Sequence, residues 1–170
     1  MSYLLIQSVM AATLTIGFAF GAYADDIPLP EGDIILTISG KIANTNVGTT
    51  AQFDRAMLEG LGLSEIQTRT PWYDGEMVFS GVQMKDLLEF VGAEGDSITA
   101  VALNDYEVDI PVSDTIDTGV ILASRLNGEE MTVRNKGPLF VIYPYGDMSE
   151  LNNQTYYSRS AWQVTRLEIE

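Results

Sequence analysis

Five short segments set an aromatic ring or a cation beside a turn-forming residue: Thr70-Pro71-Trp72-Tyr73-Asp74-Gly75, Asn104-Asp105-Tyr106, Arg134-Asn135-Lys136-Gly137-Pro138, Tyr143-Pro144-Tyr145 and Tyr156-Tyr157-Ser158-Arg159. Rings offer flat apolar faces with polar tips, and guanidinium or ammonium groups lie readily over such faces. Turn residues lift these side chains out of regular structure, where they can converge. Together the clusters suggest a pocket for a flat ring. Each Trp or Tyr taken singly also reads as a large core residue with its polar tip satisfied. Arg134 and Lys136 have a second reading too, as charges offsetting Glu129 and Glu130 across a hairpin.

Other chemistry is scarce. The 170-residue chain has no cysteine and no histidine. It therefore lacks thiolate ligands, the commonest metal ligand and the commonest general base. A serine nucleophile would have no histidine to activate it. Neither a P-loop, a GxGxxG fingerprint nor an HExxH motif is present. The acidic run Asp105, Asp109, Asp114, Asp117 does not match a calcium loop, because Pro111 interrupts it and Gly119 is misplaced, so it reads as a solvated face.

The elements that must position the clusters follow from pattern. Ile34-Ile35-Leu36-Thr37-Ile38, bounded by Gly32 and Gly40, reads as a strand. Phe53, Met57, Leu58 and Leu61 recur at helical spacing, with Thr49 or Thr50 as N-cap and Gly60 or Gly62 as terminator. Ile66 to Thr70 and Met77 to Phe79 are short strands around the Trp72 turn. Val82, Leu87, Leu88 and Val91 form a second helix that stops at Gly92. Strands then follow at Ile98–Leu103, Tyr106–Ile110, Val120–Ala123, Met131–Val133, Leu139–Tyr143 and Trp162–Ile169, with Asn104-Asp105 as a two-residue hairpin turn and Gly146 to Ser160 as a long polar connection. The expectation is an α+β, mixed β-rich domain with two short helices in its first half.

Residues 1–24 contain no charged side chain and end in Ala22-Tyr23-Ala24, an A-x-A arrangement before Asp25-Asp26. They read as a signal peptide, with 25–170 as one mature domain. The n-region carries no Lys or Arg, so an uncleaved anchor is the alternative. The mature part holds all 24 acidic and all 9 basic residues, a formal charge of −15 that repels phosphate backbones. Nucleic acid is a poor partner for such a surface.

Phe79-Ser80-Gly81-Val82 with Leu87-Leu88, Ala102-Leu103-Asn104-Asp105-Tyr106, Met131 to Leu139, Ile142-Tyr143-Pro144 and Arg159-Ser160-Ala161-Trp162-Gln163 are collinear. The set resembles the small exported proteins of the sulfite-oxidase molybdopterin-binding fold, from Leu36 to Ile169. That resemblance implies a pterin pocket. Its members hold molybdenum through a cysteine near the segment that here reads Ile66-Gln67-Thr68-Arg69-Thr70, so thiolate ligation is impossible and no metal is expected. The cysteine-free branch resembles periplasmic pterin-binding regulators. These work through the periplasmic domain of a membrane-bound cyclic-di-GMP cyclase or phosphodiesterase.

Under that resemblance the ring would stack on Trp72, Tyr106, Tyr143 or Tyr157, with Arg69 or Arg159 over its other face. Asp105 would accept the 2-amino and N3–H edge, with Asp74 as the second choice. Arg134, Lys136 and the Gly137 N–H would donate to the carbonyl and ring nitrogens, and Thr70 and Asn104 complete the expected site. The preferred reading is non-enzymatic. The alternatives are a molybdopterin oxidoreductase without a cysteine ligand, or a sugar- or peptide-binding module.

Overall fold

The structure is a computed structural model that describes residues 27–170. The expected leader, residues 1–24, lies outside the described residues. In chain order the elements are β1 (Ile34–Gly40), β2 (Ala51–Asp54), α1 (Arg55–Gly60), β3 (Ser64–Arg69), β4 (Glu76–Gln83), α2 (Met84–Phe90), β5 (Ser97–Ala102), β6 (Glu107–Pro111), α3 (Val112–Asp117), β7 (Ile121–Leu126), β8 (Glu129–Glu130), β9 (Leu139–Ile142), α4 (Gln154–Arg159) and β10 (Trp162–Ile169). Single 3₁₀ turns cover Val133–Asn135 and Ser149–Leu151.

The strands form one mixed sheet in the order β2-β1-β10-β9-β7-β4-β3, with β5 and β6 branching from β10 and β8 pairing with β7. β10 is the junction. It pairs parallel with β1 and antiparallel with β5 and β9. The alternation expected of a half-buried strand is visible in it: Val164, Leu167 and Ile169 are buried, while Trp162, Arg166 and Glu168 are exposed. These residues join Leu36, Phe53, Leu87, Ile98, Leu139 and Tyr143 in the larger of two apolar clusters. Phe79, Ile121, Phe140 and Ile142 anchor the smaller one.

The α+β, sheet-rich class is the one the residues imply, but the helices are not confined to the first half, since α3 and α4 lie in the second. Both were hidden by their polarity. Each has six residues, too short to stand on propensity; α3 is tied down where Asp114 accepts from Tyr143 and Arg159, and α4 is capped by Asn153. Helix α1 also begins later than its periodicity suggests. Phe53 belongs to β2, where it pairs with Leu36, and the N-cap is Asp54, whose Oδ1 accepts the Met57 N–H at 2.9 Å. The second helix ends as expected, with Gly92 at φ +60.

Three further expectations are corrected. Met131–Val133 is not a strand, because the β7 hairpin partner is Glu129–Glu130 and the chain then enters a 3₁₀ turn. The β5–β6 connection runs from Leu103 to Tyr106, longer than a two-residue turn, with Asp105 at φ +59. Arg134 and Lys136 do not neutralise Glu129 and Glu130. Arg55 and Arg125 take Glu130, at 3.3 and 3.7 Å, in a network that includes Glu59.

Candidate functional site: an aromatic pocket at the end of β10

A cavity of about 450 Å³ opens where the β3–β4 turn, the β5–β6 loop, α4 and the start of β10 meet. Its aromatic walls are Trp72, Tyr106, Tyr157 and Trp162, and Asn104 and Ser160 supply polar groups. The volume lies in the range of small-ligand sites, and the mixture of apolar walls with a few polar groups is typical of them.

Trp72 organises the walls. Its ring meets Phe140 of β9 edge-on at 5.3 Å, so the pocket wall is continuous with the sheet core. It also stands edge-to-face with Tyr157 and with Trp162, at 6.0 Å from each. Lys136 Nζ lies 5.4 Å from the Tyr73 ring centre and 5.2 Å from that of Trp162, a cation held between two rings.

Helix α4 contributes no buried residue to the core, yet it forms one wall. Asn153 caps it by accepting the Thr155 N–H at 2.9 Å, and the Tyr157 hydroxyl donates to Asn152 Oδ1 at 3.2 Å. Beyond its C-terminus, Ser160 Oγ lies 2.6 Å from the Tyr145 hydroxyl. At its last residue Arg159 donates to Asp114 Oδ2, which also accepts the Tyr143 hydroxyl at 2.8 Å. Burial pushes the Tyr143 phenol far above its ordinary value, and the adjacent Asp114 carboxylate adds to that. Burial raises Tyr145 in the same direction. Both are neutral donors throughout the physiological range.

Of the residues singled out from sequence, the fold brings Trp72, Asn104, Tyr106 and Tyr157 together around the cavity, while Lys136 does not line it and packs on the ring of Trp162. Others have different work. Tyr143 is fully buried and has no free face for stacking. Arg159 is committed to Asp114 and lies over Tyr156, not over a ligand position. Asp105 pairs with Arg166 at 3.1 Å and its side chain is 80 % exposed, so it is a surface carboxylate outside the lining. Asp114, expected on a solvated face, is buried instead.

The Gly137 N–H, expected to donate to the ring, already donates to Thr132 O at 2.7 Å. Gly137 is required for another reason: a Cβ there would sit 2.2 Å from Met131 O. Arg69, Asp74 and Arg134 are exposed and do not line the cavity. Thr70 is buried just before the lining residues Pro71 and Trp72, and its Oγ1 has no hydrogen-bond partner. Trp162, Ser158, Ser160 and Gln154 also line the cavity but are not among the site residues expected from sequence, although Ser158 belongs to the Tyr156–Arg159 cluster and Ser160 and Trp162 to the Arg159–Gln163 motif.

Residues 44–146 match the model of the oxidoreductase molybdopterin binding domain family, more than half of the chain, and the protein belongs to that family. Among solved structures it is similar to the sulfane dehydrogenase SoxCD from Paracoccus pantotrophus, with a TM-score of 0.57 and 19 % identity over 79 % of this chain. The likeness shows the shared fold, and the chain spans 37 % of the length of that protein. No curated protein matches the sequence significantly.

The family implies a molybdopterin, and the residues fit its parts unequally. The ring-shaped portion matches the walls of Trp72, Tyr157 and Trp162, with an orphaned hydroxyl on Thr70 in the adjoining segment. A cysteine thiolate on the metal has no counterpart in a chain without cysteine.

Proposed function

We propose that this protein is an exported, non-catalytic pterin-binding protein. The single observation that carries the reading is the roughly 450 Å³ aromatic cavity, in a family whose members bind a pterin-derived cofactor, on a chain with no thiolate to ligate molybdenum. Trp72 and Trp162 supply stacking surfaces, and the Asn104 side-chain amide supplies a donor for the ring edge. When bound, the pterin contributes a flat ring with a donor–acceptor edge. The chain's part is to hold and orient that ring.

Export rests on the uncharged apolar leader with its A-x-A end. The loaded protein would then act on the periplasmic domain of a membrane-bound cyclic-di-GMP cyclase or phosphodiesterase, a role supported by the resemblance to cysteine-free exported members of the fold. Calorimetric titration of residues 25–170 with tetrahydrobiopterin tests the ligand reading: saturable binding that Trp162→Ala weakens is expected, and no heat with any reduced or oxidised pterin sinks it. Loss of the gene is expected to alter cellular cyclic-di-GMP, and unchanged levels would remove the partner.

Family membership also favours a second reading, a molybdopterin oxidoreductase whose metal is held without a protein thiolate. Metal analysis of protein recovered from its native compartment decides between the two, since stoichiometric molybdenum would favour the oxidoreductase.

A further inference from the structure

Four non-glycine residues among those described have positive φ: Asp105, Asn127, Lys136 and Gln163. Two of them, Asp105 and Gln163, are chain neighbours of residues that line the cavity, and Lys136 packs on the ring of one such residue, Trp162. Asp, Asn and Gly tolerate this region, but Gln gains nothing from it, and a Gln held at φ +57 is a strained residue kept in place by its surroundings.

Those surroundings are specific. The Gln163 N–H donates to Lys136 O at 2.9 Å, and its carbonyl accepts the Leu103 N–H at 2.9 Å. Its side-chain Nε2 donates to Val133 O at 2.8 Å. One residue thus ties the β5–β6 loop and the Val133–Lys136 turn to β10. The strand register shifts across it, between Trp162 and Val164 against β9, and shifts again just after it, between Val164 and Arg166 against β5. A bulge of this kind re-aims the neighbouring side chain. Here the neighbour is Trp162, 40 % exposed at the cavity wall, with Lys136 Nζ over its ring.

The geometry points to Gln163 as the positioning residue of this pocket: its left-handed bulge and its three hydrogen bonds set the Trp162 ring, with Lys136 packed on it, as a wall for a flat heteroaromatic ring. Its ligand rests on the pterin reading above, but its geometry does not. Gln163 acts through Trp162 and Lys136 and need not touch the ligand.

The test uses Gln163→Ala, Gln163→Gly and Gln163→Asn in the mature protein. Iodide quenching of Trp162 is read in a Trp72→Phe background, where it is the remaining tryptophan. Affinity for tetrahydrobiopterin is read by calorimetry with Trp72 intact. Ala and Gly are expected to raise the quenching constant and weaken binding roughly tenfold, the equivalent of one lost good interaction. Asn tolerates the left-handed region and keeps an amide, so it is expected to restore both readouts towards wild type. Gly removes the backbone strain, so a folded Gly variant with poor affinity separates positioning from stability. Quenching and affinity both at wild-type values in Ala and Gly would overturn the proposal, as would affinity lost only in proportion to the unfolded fraction seen by circular dichroism. If the wild-type protein gives no heat with the pterin, the ligand reading falls and the quenching comparison alone decides the role of Gln163.

Discussion

The guanidinium of Arg159 donates to Oδ2 of Asp114 at 2.9 Å, joining the last residue of α4 to the first turn of α3. The same oxygen accepts the Tyr143 hydroxyl, so one buried carboxylate serves a charged and a neutral donor. Asp114→Ala would leave both without an acceptor. A loss of about 3 kcal/mol is expected, the low end for breaking a buried pair, because the Arg159 side chain stays 23 % exposed. Urea denaturation measures it, and a shift under about 0.5 kcal/mol, the size of an ordinary surface substitution, would show that the pair is unimportant.

Trp162 is a wall residue that also packs edge-on against Phe140 and Trp72. Trp162→Ala should lower stability by about 1–2 kcal/mol while the protein stays folded, and should weaken tetrahydrobiopterin binding roughly 10- to 100-fold, the range for losing one aromatic stack. Affinity lost only in proportion to an unfolded fraction would instead mean that the ring supports the fold.

Asp105 looks in sequence like the ring's carboxylate partner, but in the fold it is an exposed partner of Arg166. Asp105→Asn retains a residue suited to positive φ and should change pterin affinity by less than about fivefold, as expected of a surface ion pair. Abolished binding would return Asp105 to the site.

Acid should weaken the β2–α1 corner first. Backbone N–H groups of Met57, Gly32 and Glu31 hold the Asp54 carboxylate below its ordinary value, outweighing the opposing effect of burial. Burial pushes Glu59 up, but hydrogen bonds from Arg125 and Ser124 with the nearby cations more than reverse this, so it too is lowered. A lowered carboxylate contributes stability that is fully present above its unfolded value near 4 and is lost as pH falls through the lower folded value. The unfolding midpoint of the wild-type protein should therefore drop below about pH 4. Asp54→Asn should show a lower midpoint at neutral pH and a shallower fall in acid, and a parallel curve would contradict this.

The sheet was largely legible because its strands carry β-branched or alternating apolar residues, as Ile34–Ile38 before Gly40 and Trp162–Ile169 do. Phe53 misled because its apolar spacing suits a helix, while pairing with β1 claims it for a strand. The helices α3 and α4 escaped notice because no apolar stripe marks them; they exist through contacts such as Asp114–Arg159 that join residues far apart in sequence. Only part of the cavity lining was legible, for a related reason. Aromatics beside turns converge regardless of partner, whereas whether a cation or carboxylate is free depends on its spatial neighbour. Arg159 and Asp105 are each claimed by a partner that no local pattern reveals, and Trp162 reached the wall through a bulge at Gln163 that sequence did not announce.

The place of β10 has a consequence for how the domain assembles. The last strand pairs with the first and holds β5 and β9, so Thr37 must wait for Arg166 before the sheet can close. Such long-range pairing folds slowly, because loop-closure entropy is spent before the contacts form. Until the final strand arrives, β1, β5 and β9 each present an unpaired edge, the form in which chains associate wrongly. Refolding should accordingly be sensitive to protein concentration, with a holding chaperone of greatest benefit in the interval before Trp162–Ile169 docks.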